Sequence, residues 1–299
     1  MILPPPLRPG DLVAVIAPSS PFDAALGWKG LGFLRERYRL RFDRGIFARS
    51  GYLAGDDARR SAELEAALRD PEVRVILAAR GGYGASRFAH SLPWRALAEN
   101  PRWIVGFSDV TALHVEASNV GIASLHASHL TALGVSHART RAAFIEALES
   151  PGRTRVFGGL TQIFGGQAEG VIVGGNLTML HACAAAGRLS IPRGAILFIE
   201  DVGERPYRID RMLTTLVVGG HLDGVAGVAV GDFTDCASGP DGVGVSDVLE
   251  RTLGSLRVPV VRGLPCGHGV VNEPLVLGAR ARITEREGAP VLVVGGAGD

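Results

Sequence analysis

Short apolar runs alternate with amphipathic stretches through the first half of the chain, and that alternation admits few folds. LVAVIAP (12–18), VRVILAA (73–79), RWIVGFS (102–108) and IASLHAS (122–128) have the length and apolar continuity of strands buried on both faces. Between the first two, DAALGWKGLGFLRERY and DDARRSAELEAALRD carry helical spacing, the second opening on Asp56 and Asp57 as N-cap residues. Such a succession predicts helices packed on a mostly parallel sheet. Several of these strands end in a turn that feeds a helix, and open α/β sheets bind ligands in crevices at the carboxyl ends of their strands.

The glycine-rich stretch VFGGLTQIFGGQAEG (156–170) follows the helical segment ARTRAAFIEALES and marks a crossing between domains. The expected division is an N-terminal α/β domain over 1–155, a linker over 156–170 and a smaller β-rich C-terminal domain over 171–299. In the latter, GAILFIEDVGE, GVAGVAVGDF and VPVVRGLPCGHG have strand character, with one helix, PYRIDRMLTTLVVG, between the first two. LVLGARARITEREGAPVLVV predicts a hairpin turning at Glu287-Gly288.

Composition narrows the partners. A net charge of +1 offers no broad basic field, so binding to nucleic acid by counterion release has no support and a small or peptide-like substrate fits better. The opening MILPPPLRPGDLVAVIAPSSP lacks a basic segment and has Asp11 among its apolar residues, unlike a signal peptide, and no later run is long enough to cross a bilayer. A cytoplasmic protein with no membrane partner is expected. Cys183, Cys236 and Cys266 are odd in number and far apart, which argues against disulfides and CxxC metal chemistry. No HExxH occurs, and His126 and His129 in HASHL lack its intervening glutamate, so neither metal nor cofactor is expected.

Four stretches could carry chemistry. In WIVGFSDVTALH a strand stops at Gly106-Phe107-Ser108-Asp109 and a helix pattern begins at once. A serine there is aimed into the crevice beside free helix N–H groups, a geometry suited to acyl transfer; equally, Ser108 or Asp109 could simply cap the helix. Only half of G-x-S-x-G is present, because Val110 stands at the second glycine. AARGGYGASR (78–87) is either a tight turn or a backbone nest whose amides could supply an oxyanion donor. Glu200 and Asp201 end an apolar run, where a carboxylate could orient a histidine or join Arg205, Arg208 and Arg211 in a surface network, with Glu204 as a nearby competitor. His268, between two glycines, has the open access a general base needs, while Cys266 suits apolar packing.

RPGDLVAVIAPSSP, ARGGYGASR, GFSDVTALH, VGGNLTML, LFIEDVGERPYRIDRML, GDFTDC and GLPCGHGVVNEPLVLGARA, in that order over nearly the whole chain, together resemble the LD-carboxypeptidase family, serine peptidases that include muramoyltetrapeptide carboxypeptidases and microcin-immunity hydrolases. The resemblance implies Ser108 as nucleophile, His268 as general base and Glu200 as the group that orients it. It implies an oxyanion hole from the backbone amides of Asp109 and the Gly81-Gly82 turn. Arg80, beside that turn, is the candidate for the substrate's carboxylate. The implied reaction releases a terminal D-amino acid from a murein tetrapeptide during cell-wall recycling, by a cytoplasmic homodimer without a metal. An amidase acting on a peptidyl-nucleotide is the second reading, and a silent peptide-binding module the third. One departure is visible: His126-Ala127-Ser128 stands where the family commonly has His-Gly-Pro.

Overall fold

Leu12–Ile16, within the first apolar run, forms strand β1 with every residue buried, as a strand covered on both faces requires. The computed structural model describes residues 1–296. They fall into two units, Met1–Pro151 with Glu273–Val276, and Gly152–Asn272 with the chain from Leu277 onward.

In the first unit β1 is followed by α1 (Ala24–Arg35), β2 (Arg39–Arg41), α2 (Asp57–Arg69), β3 (Val73–Ala78), α3 (Arg95–Glu99), β4 (Trp103–Gly106), α4 (Thr111–Asn119), β5 (Ser124–His126), α5 (Leu130–Leu133) and α6 (Ala138–Glu149). Asp56 caps α2 as expected, accepting from the Arg59 N–H at 2.7 Å. Strands β2, β1, β3, β4 and β5 lie side by side, all parallel. The chain therefore moves from β1 to one side for β2, then to the other for β3 to β5. A crevice opens at such a reversal, outside the carboxyl ends of β1 and β3. Buried Trp103 anchors β4 from below, its indole N–H donating to the Pro5 carbonyl at 3.0 Å.

The second unit carries β6 (Arg155–Phe157), β7 (Thr161–Phe164), β8 (Ala168–Asn176), α7 (Leu177–Ala185), β9 (Ile196–Val202), α8 (Pro206–Val218), β10 (Gly227–Thr234), α9 (Val245–Gly254) and β11 (Val260–Arg262). After β12 (Leu275–Leu277), which lies beside β5 at the edge of the first sheet, come β13 (Arg280–Arg286) and β14 (Ala289–Val294). The second sheet has the order β6-β14-β13-β8-β9-β10-β11-β7, with β8 to β11 parallel and the flanking pairs antiparallel. The fold is thus mixed α/β: a parallel-rich sheet with helices, then a β-rich unit with helices of its own. The hairpin expected at Glu287-Gly288 is present; Arg286 pairs with Ala289 and both turn residues have positive φ, 53° and 77°, as a type I′ turn demands.

Two expectations for this half need correction. Residues 156–170 are not a linker: their backbone groups pair in β6, β7 and the start of β8, because exposed glycine-rich segments can still take a ladder when neighbours offer one. The single predicted helix is joined by α7 and α9. Asn176 starts α7 without a break after β8, its side chain accepting from the Met179 N–H at 3.1 Å, so strand and helix run together in the sequence.

Among the described residues no helix is long and apolar enough to cross a membrane.

Candidate active site

Three loops leave the carboxyl ends of the adjacent strands β1, β3 and β4, and each brings one sequence motif: APSS (17–20), ARGGYGA (79–85) and FSD (107–109). Ser108 is half-buried with φ +63°, an uncommon conformation for a side-chain-bearing residue. Glycine at 106 permits the sharp exit from β4, since φ is +155° and a Cβ there would lie 2.8 Å from a Val110 methyl. No side chain caps the short 3₁₀ turn Ser108–Val110 or the start of α4 behind it. The capping role that the sequence left open for Ser108 and Asp109 is therefore not realised.

Gly81 packs on the serine: a Cβ added to it would sit 2.9 Å from Ser108 Cβ and 3.1 Å from the His129 ring. Gly82, with φ +103°, turns the loop away. Ser20 fixes the turn against the first loop, its N–H donating to the Gly81 carbonyl at 3.2 Å and its Oγ accepting from the Tyr83 N–H at 3.1 Å. Beneath the Ser108 loop, His114 Nε2 lies 3.0 Å from the Gly106 carbonyl and His129 Nε2 lies 2.9 Å from that of Phe107. His129 also stacks on Phe107, with ring centroids 4.1 Å apart. Burial pushes the His114 imidazole down to about 3, so it is neutral and donates. At His126-Ala127-Ser128 all three residues are buried and the Ala127 N–H meets the Gly106 carbonyl at 3.1 Å.

The Asp109 side chain is 1 % exposed. Its Oδ2 accepts from Ser19 Oγ at 2.5 Å and from the Ala85 N–H at 2.8 Å. Burial pushes this carboxyl above the usual range, opposed by those bonds and by the Arg60 charge. Arg60, itself fully buried, pairs with Asp57 and donates to the Pro18 carbonyl. Exposed Arg80 sits beside the glycine turn and donates to the Pro21 carbonyl at 2.7 Å.

In the second unit, β9 ends in two buried acids with separate tasks. Glu200 is fully buried, and its Oε2 lies 2.7 Å from His268 Nδ1. A carboxylate can only accept, so this contact places the proton on Nδ1 and leaves Nε2 as the basic nitrogen. Gly267, φ +132°, lets the loop rest directly on the acid; a Cβ there would come 2.7 Å from Glu200 Oε2. Asp201 instead accepts from Asn176 Nδ2 (3.1 Å), the Thr178 N–H and hydroxyl (2.9 Å each) and the Val202 N–H (2.8 Å), tying β9 to α7. Glu204, the competitor in sequence, pairs with Arg208 at 3.5 Å. Arg205 donates to the Ser238 carbonyl at 3.2 Å.

Sequence reasoning missed Asp232. At the end of β10 it accepts from the Gly269 N–H beside His268, and burial pushes its carboxyl up, with Glu200 adding to the effect. An acid ending an apolar strand was the available signal, the same one that singled out Glu200. Cys266 is buried, as its apolar reading requires. Among the described residues no group of three or more His, Cys, Asp or Glu side chains could hold a metal ion.

The structure thus sets Gly81 against Ser108 in the first unit and Glu200 against His268 in the second. Two family models match the chain, the LD-carboxypeptidase N-terminal domain over residues 13–127 and the LD-carboxypeptidase C-terminal domain over 169–283.

The chain belongs to the LD-carboxypeptidase family.

A probable murein peptide carboxypeptidase of Bacillus subtilis is 35% identical over 298 residues, covering 97% of this chain and 93% of that protein. The crystal structure of a muramoyltetrapeptide carboxypeptidase from Oxalobacter formigenes superposes with a TM-score of 0.85 at 30% identity, covering 95% of this chain and 99% of that one. The microcin C7 self-immunity protein of Escherichia coli is 24% identical, over 93% of this chain and 92% of its own length. This LD-carboxypeptidase family member is accordingly a peptidase of the carboxypeptidase type.

Proposed function

We propose that this chain is a serine-type LD-carboxypeptidase that cleaves the bond between an L-configured residue and a terminal D-amino acid, D-alanine, in murein tetrapeptide. The observation that carries the mechanism is the 2.7 Å contact between His268 Nδ1 and buried Glu200. It fixes the tautomer and leaves Nε2 as the basic nitrogen, which is what a general base needs. Ser108 Oγ attacks the scissile carbonyl and His268 Nε2 takes its proton. The tetrahedral oxyanion is held by the amides of Asp109 and of the Gly81-Gly82 turn. His268 then protonates the leaving amine, and water, activated by the same nitrogen, releases the acyl-enzyme. Arg80 pairs with the terminal carboxylate of the peptide. The relatives' activities favour murein peptide over a peptidyl-nucleotide. We further propose a cytoplasmic homodimer acting in cell-wall recycling.

A fluorophosphonate probe followed by mass spectrometry tests the nucleophile. Labelling at Ser108 is expected, and robust turnover by Ser108→Ala would refute the mechanism. Peptides ending in L,D and L,L pairs test the stereochemistry: release from the L,D series alone is expected, and equal cleavage removes the claim. Hydrolysis of an aminoacyl sulfamoyl nucleoside in preference to tetrapeptide would establish the amidase reading instead, and no turnover with no labelling would leave a binding module.

A further inference from the structure

Asp109 contributes two separate groups to this region, and only its backbone amide enters the reaction described above. Its carboxylate faces the other way, into the protein. There it gathers the three loops that carry the site. The loop after β1 is held through Ser19 Oγ at 2.5 Å, the loop after β3 through the Ala85 N–H at 2.8 Å, and the loop after β4 through Asp109's own backbone. Helix α2 supports the same junction from behind. Glu63 accepts from the Ala17 N–H at 2.8 Å, Arg59 donates to the Ala17 carbonyl at 2.8 Å, and buried Arg60 donates to the Pro18 carbonyl. Arg60 also fills the space beside Gly84, where a Cβ would collide with its guanidinium. The turn that presents Gly81 to Ser108 is therefore pinned three residues further on, at Gly84-Ala85, to the residue that follows the nucleophile.

We propose that the Asp109 carboxylate is a positioning residue that sets the distance between Ser108 and the amides of the Gly81-Gly82 turn. The inference rests on the reading of Ser108 as nucleophile. Oxyanion donors act within a few tenths of an ångström of their ideal positions, and a misplacement of about 1 Å can lower turnover about 10²-fold. A carboxylate that bonds both loops while itself out of reach of water is a rigid spacer. A network that only added stability would not link catalysis to the identity of its acceptor.

The two readings separate in a series of variants. Asp109→Ala removes the acceptor, Asp109→Asn keeps one oxygen for Ser19 and Ala85, and Ser19→Ala removes one of the two bonds. Asp109→Ala is expected to lower kcat about 10²-fold with KM changed by less than about threefold. Asp109→Asn should retain kcat within about fivefold even though it melts lower, because its side-chain oxygen still accepts from Ser19 and Ala85 while its NH₂ takes the place of Oδ1. Ser19→Ala should fall between them. The second-order rate of fluorophosphonate inactivation should follow kcat in the same order, which reports on the nucleophile whatever the natural substrate is. Hydrogen exchange in a peptide spanning 81–88 should accelerate in Asp109→Ala and Ser19→Ala alone. Equal kcat losses in the Asn and Ala variants, or unchanged exchange and unchanged kcat in Ser19→Ala, would overturn the proposal even if Asp109→Ala fails to fold. Loss of labelling in the unaltered enzyme would instead refute the nucleophile, with the exchange result still deciding whether the carboxylate pins the turn.

Discussion

His114 is the group whose replacement makes the most quantitative prediction. It lies on α4, 2 % exposed, with Nε2 3.0 Å from the carbonyl of Gly106, the last residue of β4. Desolvation drives its pKa from the ordinary 6.5 to about 3, with neighbouring His126 adding to the depression and the Gly106 bond opposing it. The folded state therefore refuses a proton that the unfolded chain accepts below about pH 6.5. The associated stability is complete above that value and is lost as pH falls toward 3. Each pH unit inside the window is worth about 1.4 kcal/mol, so about 5 kcal/mol is at stake overall and about 2 to 3 kcal/mol between pH 6 and pH 4. His114→Asn removes the titration and keeps a donor for the Gly106 carbonyl. All three tryptophans, Trp28, Trp94 and Trp103, belong to the first unit, so urea unfolding followed by tryptophan fluorescence reports on it. Between pH 6 and pH 4 the unaltered protein should lose about 2 to 3 kcal/mol more than the variant; other titrating groups are common to both and cancel in the difference. Parallel losses, agreeing within about 0.5 kcal/mol, would show that His114 takes up its proton in the folded state and would refute the argument.

Ser108→Ala and His268→Ala should each remove about 10³-fold or more of kcat, and the double variant should lose little beyond that, since such residues act as a unit; steady-state kinetics on tetrapeptide checks this. Glu200→Gln should be milder and Glu204→Gln near unaltered, given the latter's pairing with Arg208; the reverse order would reassign the orienting acid. Gly81→Ala should depress kcat/KM at least about tenfold, because the new methyl would lie 2.9 Å from Ser108 Cβ. Glu287→Asn should raise stability by about 0.5 kcal/mol by relieving a left-handed residue with φ +53°, measured as a shift in urea midpoint.

The candidate site was legible wherever a polar residue interrupts an apolar strand at its carboxyl end. Ser108 and Glu200 stood out by that rule, the glycine turn by its run of glycines after an apolar strand, and each lies at or just past the carboxyl end of its strand in the structure. The same rule, applied evenly, would have raised Ser19 after β1 and Asp232 at the close of β10. Spacing carries no record of partners far apart in sequence: the contact of Ser19 with Asp109 across 90 positions stayed hidden, and that of Glu200 with His268 across 68 was suggested only by the family resemblance. In the fold, α2 and the hairpin announced themselves through a cap and a Glu-Gly turn. Helix α7 did not, because its N-cap Asn176 is also the last residue of β8. The strands at 156–170 were masked by glycine, whose turn-forming habit outweighed the weak ladder pattern around it.

The return of Glu273–Val276 to the first unit, after 121 residues spent in the second, has a practical consequence for anyone dissecting the chain. A fragment stopped at Pro151 would lack β12 and present β5 as a bare edge with unsatisfied peptide groups. Such a truncation invites self-association, whereas a version that supplies residues 273–276 through a short engineered tether would give β5 its neighbour back.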